Sequence, residues 1–200
     1  MILEDKTNLK ARFDAAFQLM HRREFIENRM LGGEIPFFLM DYPIELHNEM
    51  EIEIPAFNNR LKAEGVHTLV IDLYDLSIEV INQYSSIELI KRIEQKKDLK
   101  RVLKALQSTL DVKERLIPLI LEKIKAVKPQ IILIKGIANI FPFLRANEIL
   151  NHLNTDLSDI PTLVFYPGTY INKQLTLFNR IEDSRYYRAH PISELKNIAK

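Results

Sequence analysis

The chain has 200 residues, 46% hydrophobic and 28% charged, which is enough to bury a sizeable core and ordinary for a globular protein. A formal net charge of +1 supplies no global field to recruit nucleic acid or an anionic membrane. The absence of cysteine excludes disulfides, thiolate zinc sites and a cysteine nucleophile. The opening MILEDKTNLKARFD lacks the cationic-then-apolar pattern of a secretory signal, and no apolar run reaches the length of about 18 residues that spans a bilayer, so a cytoplasmic protein is expected.

Apolar spacing predicts a first helix over Leu9 to Arg29, ended by Gly32-Gly33. Pro36 to Asp41 reads as a short buried strand, with Pro43 marking its exit. Ile44 to Glu64 reads as two helices meeting near Pro55, because proline removes a helical hydrogen bond and Met50, Ile52 and Ile54 alternate as in a strand. Val66 to Asp72 is a β-branched second strand. From Asp75 to Val127 the signal is helical, with capping boxes at Ser85/Glu88 and Asp111/Glu114. Leu99, Val102, Leu103, Leu106 and Leu110 make one apolar stripe, while Leu116, Leu119, Ile120 and Ile124 make another, restarted or kinked at Pro118.

Pro129 to Ile134 is the third strand, Phe143 to Leu153 a crossover helix, and Thr162 to Tyr166 the fourth strand, stopping at Pro167-Gly168. An amphipathic connection through Leu175, Leu177 and Phe178 leads to Tyr186-Tyr187-Arg188, with an edge strand within Tyr186 to Ile192. Apolar runs alternating with helices predict one α/β domain over residues 1–200. Its mostly parallel sheet has about four to five strands and helices on both faces, and residues 85–127 form a helical insertion or lobe.

Five glycines are too few and too scattered for a dinucleotide fingerprint or a Walker loop, and no Gly-x-Ser-x-Gly elbow exists. The five histidines show no i,i+4 pairing, so neither a metal nor a cofactor is expected.

Three segments in order carry a resemblance: Leu31 to Pro43 (LGGEIPFFLMDYP), Lys135 to Arg145 (KGIANIFPFLR), and Phe165 to Tyr170 (FYPGTY) through Tyr186-Tyr-Arg-Ala189. Together they resemble the BrxB family of the bacteriophage-exclusion (BREX) defence systems. The resemblance implies a role in phage defence beside PglZ (a phosphatase-fold protein), a DNA methyltransferase and a large ATPase. It implies association with PglZ, as an adaptor or assembly factor, and it supplies no catalytic residues. Where a more glycine-rich start would be expected after the third strand, this chain has Gly136-Ile-Ala-Asn139.

The candidate partner-binding residues are Arg145, Tyr170, Arg185, Tyr186, Tyr187 and Arg188, types enriched at interface hot spots. Arginine at a helix start opposes the dipole and needs another reason: it either pairs a partner's carboxylate or phosphate, or salt-bridges Glu148 or covers the sheet edge. Because ligands of open α/β sheets sit beyond the C-terminal strand ends, an alternative is a magnesium–phosphate site with Asp41 and Asp72 on the metal and Lys135 or Arg145 on phosphate. The plainer reading, that Asp75 caps a helix and Asp41 shapes a turn, is favoured by the lack of a glycine-rich cradle. Lys91 to Lys104, including Lys96, Lys97 and Arg101, is a basic amphipathic stretch, a solvated face in the favoured reading and a surface for DNA phosphates in the other, while for Tyr186, Tyr187 and Arg188 protein contact is favoured over nucleic acid because the overall charge is near neutral.

Overall fold

A computed structural model describes residues 2–29, 35–84, 87–95, 98–157, 159–182, 189–192 and 194. Its centre is a parallel sheet of β1 (Phe37–Tyr42), β2 (Thr68–Asp72), β3 (Ile131–Lys135), β4 (Thr162–Ile171) and β7 (His190–Pro191), in the order β2-β3-β4-β1-β7. Two further strands, β5 (Gln174–Leu177) and β6 (Ile181–Glu182), extend it antiparallel from the far end of β4. The α/β class, the mostly parallel sheet and the helices on both faces are those the sequence predicts.

The period-2 geometry of the strands divides the core in two. Phe38, Met40, Tyr42, Leu133 and Phe165 point to one face, where α1 (Ile2–Met20), α2 (Arg23–Ile26) and α3 (His47–Ala63) cover them. Phe13, Phe57 and Phe165 meet there edge-on and stacked, with centroids 5.4 to 6.5 Å apart. Phe37, Leu39, Ile71, Ile134 and Val164 point to the other face. That face is covered by α4 (Leu73–Tyr84), α6 (Leu99–Thr109), a π-type turn (Val112–Leu116), α7 (Ile117–Val127), α8 (Ile137–Ile140) and α9 (Ala146–Asp156). The remaining helix, α5 (Ile87–Gln95), packs on α6. Within the stretch 85–127, Leu106 of α6 and Ile117, Ile120 and Ile124 of α7 belong to the same core as the sheet.

Several local expectations are corrected. The first helix breaks at His21-Arg22 into α1 and α2. The expected pair of helices at Pro55 is one helix, α3, after a single 3-10 turn at Ile44–Leu46. Pro55 is exposed, while Met50, Ile54, Phe57 and Leu61 bury one stripe; burial along four turns outweighs one missing hydrogen bond. Ile52, which suggested strand alternation, is 72% exposed on the opposite side. Leu99, expected in an apolar stripe, is 73% exposed at the start of α6, where the cap comes from Asp98, accepting from the Arg101 N–H. Asp111 does cap its turn, accepting from the Glu114 N–H at 2.8 Å, and Pro118 lies in the first turn of α7 as expected.

The largest correction is at Pro167-Gly168. The fourth strand does not stop there but runs on to Ile171, leaving its parallel partner β1 at the Tyr42–Pro167 pair and taking up the antiparallel partner β5 at Gly168–Leu177. Gly168 has φ 152° and a Cβ there would collide with the Thr176 carbonyl oxygen, so glycine is what allows β5 to close on β4. The connection read as amphipathic is therefore strand β5, burying Leu175 and Leu177 in alternation. Gly32-Gly33, Ser85, Lys96, Lys97, Arg185, Tyr186, Tyr187 and Arg188 lie outside the described residues.

Candidate functional site

The C-terminal ends of the strands carry the charges the sequence singles out, and the topology separates them. Asp72 and Lys135 end the neighbouring strands β2 and β3 in register, whereas Asp41 ends β1, three positions from β2 and so about 14 Å away at the usual strand spacing. Lys135 Nζ is clamped between Glu51 of α3 and Asp72, the latter at 3.2 Å. Asp72 Oδ1 also accepts from the Tyr74 N–H at 2.9 Å, capping α4, and Gly136 leaves room for it, since a Cβ there would strike the same oxygen. Burial acts to lower the Lys135 pKa, but the hydrogen bonds and charges of Glu51 and Asp72 outweigh it and the net shift is upward.

Asp41 is held elsewhere. Arg12 of α1 donates to its Oδ1 at 2.9 Å and the Tyr170 N–H to its Oδ2 at 3.3 Å. The crevice beyond β1 and β4, where an open sheet would seat a ligand, is thus spanned by β4's own continuation. Close by, the Tyr42 hydroxyl lies 3.1 Å from His47 Nδ1, and burial, aided by the charge of Glu51, drives its pKa upward. Among the described residues no three His, Asp or Glu side chains gather closely enough to hold a metal ion. The structure brings together Asp72 and Lys135 of the three expected site residues, and not Asp41.

Of the expected partner-binding residues, Tyr170 is engaged inside the fold. Its hydroxyl donates to the Ala189 carbonyl at 3.0 Å and receives the Ala189 N–H at 3.4 Å, tying the run into β7 to the β4 extension. Arg145 is different. It is exposed at the N-cap of α9 and, among the described residues, makes no ion pair, including none with Glu148 three residues on. Beside it opens a cleft of about 260 Å³ lined in part by Gln107, Asp111, Phe143 and Glu148. Lys100, Arg101 and Lys104 of α6 are likewise exposed without ion pairs among the described residues.

Sequence reading missed Gln107 and Phe143 as cleft walls, because Gln107 belongs to no motif, Phe143 is not singled out within the Lys135–Arg145 segment, and only the packing of α6 against the α8–α9 connection brings them together. It also missed Asn147, 3% exposed in the first turn of α9 with neither side-chain polar atom hydrogen-bonded. No described helix is long and apolar enough to cross a membrane.

Comparison with known proteins fits this frame. The family model described as BREX protein BrxB matches residues 69–192, from β2 to the end of the sheet. A BREX protein BrxB of Bacillus cereus (strain H3081.97) is 30% identical over 183 residues, 90% of this chain and 95% of that one. A BREX protein BrxB of Escherichia coli O9:H4 (strain HS) is 24% identical over 165 residues, 82% of each chain. No solved structure matches. With the family model matching more than half of the chain and one relative aligned almost end to end, the chain belongs to the BrxB family of BREX proteins.

Proposed function

We propose that this BREX component acts in bacteriophage defence as a non-enzymatic adaptor or assembly factor that binds the PglZ protein of its system, with the methyltransferase and ATPase as further neighbours in the assembly. The observation that carries this reading is Arg145, a guanidinium left exposed and unpaired among the described residues at the mouth of a cleft, where its planar fork can meet a partner's carboxylate. Its fellow charges at the strand ends are engaged inside the fold, Asp41 with Arg12, and Lys135 with Glu51 and Asp72. Co-expression with PglZ and gel filtration at micromolar concentration should give a stoichiometric complex; separate elution of the two proteins would remove the proposal.

A second reading is favoured by the unpaired Lys100, Arg101 and Lys104 on one helix. If they meet DNA phosphates, a mobility shift should weaken steeply with added salt and vanish when all three become glutamate.

A further inference from the structure

We infer that two copies of this chain join through the outer edge of β2, antiparallel about Val70, so that one sheet runs continuously through both. This is independent of the adaptor reading and of the cleft beside Arg145.

β2 ends the strand order, with β3 on one side and, among the described residues, no strand on the other. A parallel strand sends the N–H and C=O of alternate residues to opposite sides. His67 accepts the Ile131 N–H from the β3 side, so Leu69 and Ile71 also face β3, while Thr68 and Val70 turn their backbone groups outward. Among the described residues no other backbone group bonds to Thr68 or Val70. Proteins that stay apart blunt such an edge with lysine, proline or a bulge, and Thr68–Asp72 carries none of these. Its middle instead presents an apolar side chain, Val70, 36% exposed.

A second copy is selected because this edge is complementary to itself. With Val70 on a two-fold axis, its N–H and C=O both pair with those of its mate, Thr68 falls opposite Asp72, and Leu69 opposite Ile71. No two like charges meet, and the central pair is apolar on both sides. Helix α3 repeats the pattern on one face of the sheet. Asn58 accepts from the Thr68 hydroxyl, and Glu51, two turns earlier, reaches Lys135 at the level of Asp72. α3 therefore runs beside β2 in the opposite direction, with the exposed Pro55 level with Val70. About the same axis Pro55 faces its mate, Lys62 comes opposite Asn48, and Glu51 opposite Asn59, again with no like charges opposed. A five-residue edge alone covers less than the roughly 800 Å² per partner of a standard interface, and this row of α3 supplies the adjoining surface. An extended segment of another protein would use the same backbone groups but find no counterpart for that row.

The chain has no cysteine, so the register is directly testable. In this geometry the two Val70 Cα atoms lie about 5.5 Å apart, within the roughly 4.4–6.8 Å that a disulfide spans. Sedimentation of the full chain at tens of micromolar should show a dimer. Val70→Lys sets two ammonium groups against each other at the axis and should weaken self-association about ten-fold or more, with unchanged circular dichroism. Val70→Cys should cross-link to a dimer on mild oxidation, and Leu99→Cys, 73% exposed on α6, should not. A wild type that stays monomeric overturns the inference, as does a dimer that Val70→Cys fails to cross-link or that a folded Val70→Lys leaves equally tight. Should Val70→Lys not fold, the cross-link alone decides. If the wild type is monomeric and Val70→Lys loses binding to PglZ, the edge takes a partner's strand and the inference is likewise overturned.

Discussion

At Gly168 a single missing carbon decides how two parts of the molecule join. Its φ of 152° and the Thr176 carbonyl facing it leave no room for a side chain, so Gly168→Ala should cost about 2–4 kcal/mol, read as a lowered urea midpoint. Lys135 makes the complementary case for charge. With its side chain 14% exposed and two carboxylates on it, Lys135→Met should leave Glu51 and Asp72 facing each other and destabilise the fold by roughly 2–3 kcal/mol. Because the folded pKa is raised, the lysine's contribution is complete below its ordinary value of 10.5 and is lost as pH climbs through the raised native value. The stability gap between wild type and Lys135→Met should therefore hold constant from neutral pH to about pH 9 and narrow only in strong alkali; a gap that closes earlier would contradict this. The sequence marks Asp72 and Lys135 as notable but not as each other's partners, for that depends on β2 and β3 lying side by side in register.

Among the elements, most strands and helices are legible because their apolar residues follow the period of the structure they form. Ile131 to Ile134 is buried throughout, as a central parallel strand requires, and of the stripe expected from Leu116 into α7, Leu116, Ile120 and Ile124 are buried and Leu119 is half-buried. The failures occur where local chemistry and tertiary packing disagree. Pro55 reads as a break and Pro167-Gly168 as a stop, yet α3 and β4 continue through them because the sheet face beneath α3 and the strand beside β4 supply contacts distant in sequence. If Pro55 is simply tolerated, Pro55→Ala should restore a hydrogen bond to the Glu51 carbonyl on the exposed side of α3 and stabilise the protein by about 1–2 kcal/mol in urea unfolding. A loss of stability would mean that the proline shapes the helix in a way its neighbours depend on.

Over the whole molecule, the layered architecture follows from alternation along each strand, and the described parts of the segments that resemble the BrxB family fall on β1, on the β3–α8 junction with the loop to α9, and on β4, the last two inside the stretch that the family model matches. The depressions beside Arg145 are not legible in the same way. Their walls come from α4, α6, α8 and the loop before α9, stretches far apart in the chain, and none of Tyr74, Gln107 or Phe143 announces itself alone. Arg145 stands out only because arginine is unfavourable where a helix begins.

β4 belongs to two structures at once: its first half lies between β3 and β1, and its second half carries β5 and, through it, β6. A load placed on that outer hairpin is therefore delivered not to a margin but along a single continuous rod into the middle of the protein. Anything that tilts the hairpin must lever the central strand against both neighbours, with the Arg12–Asp41–Tyr170 contacts bracing the fulcrum.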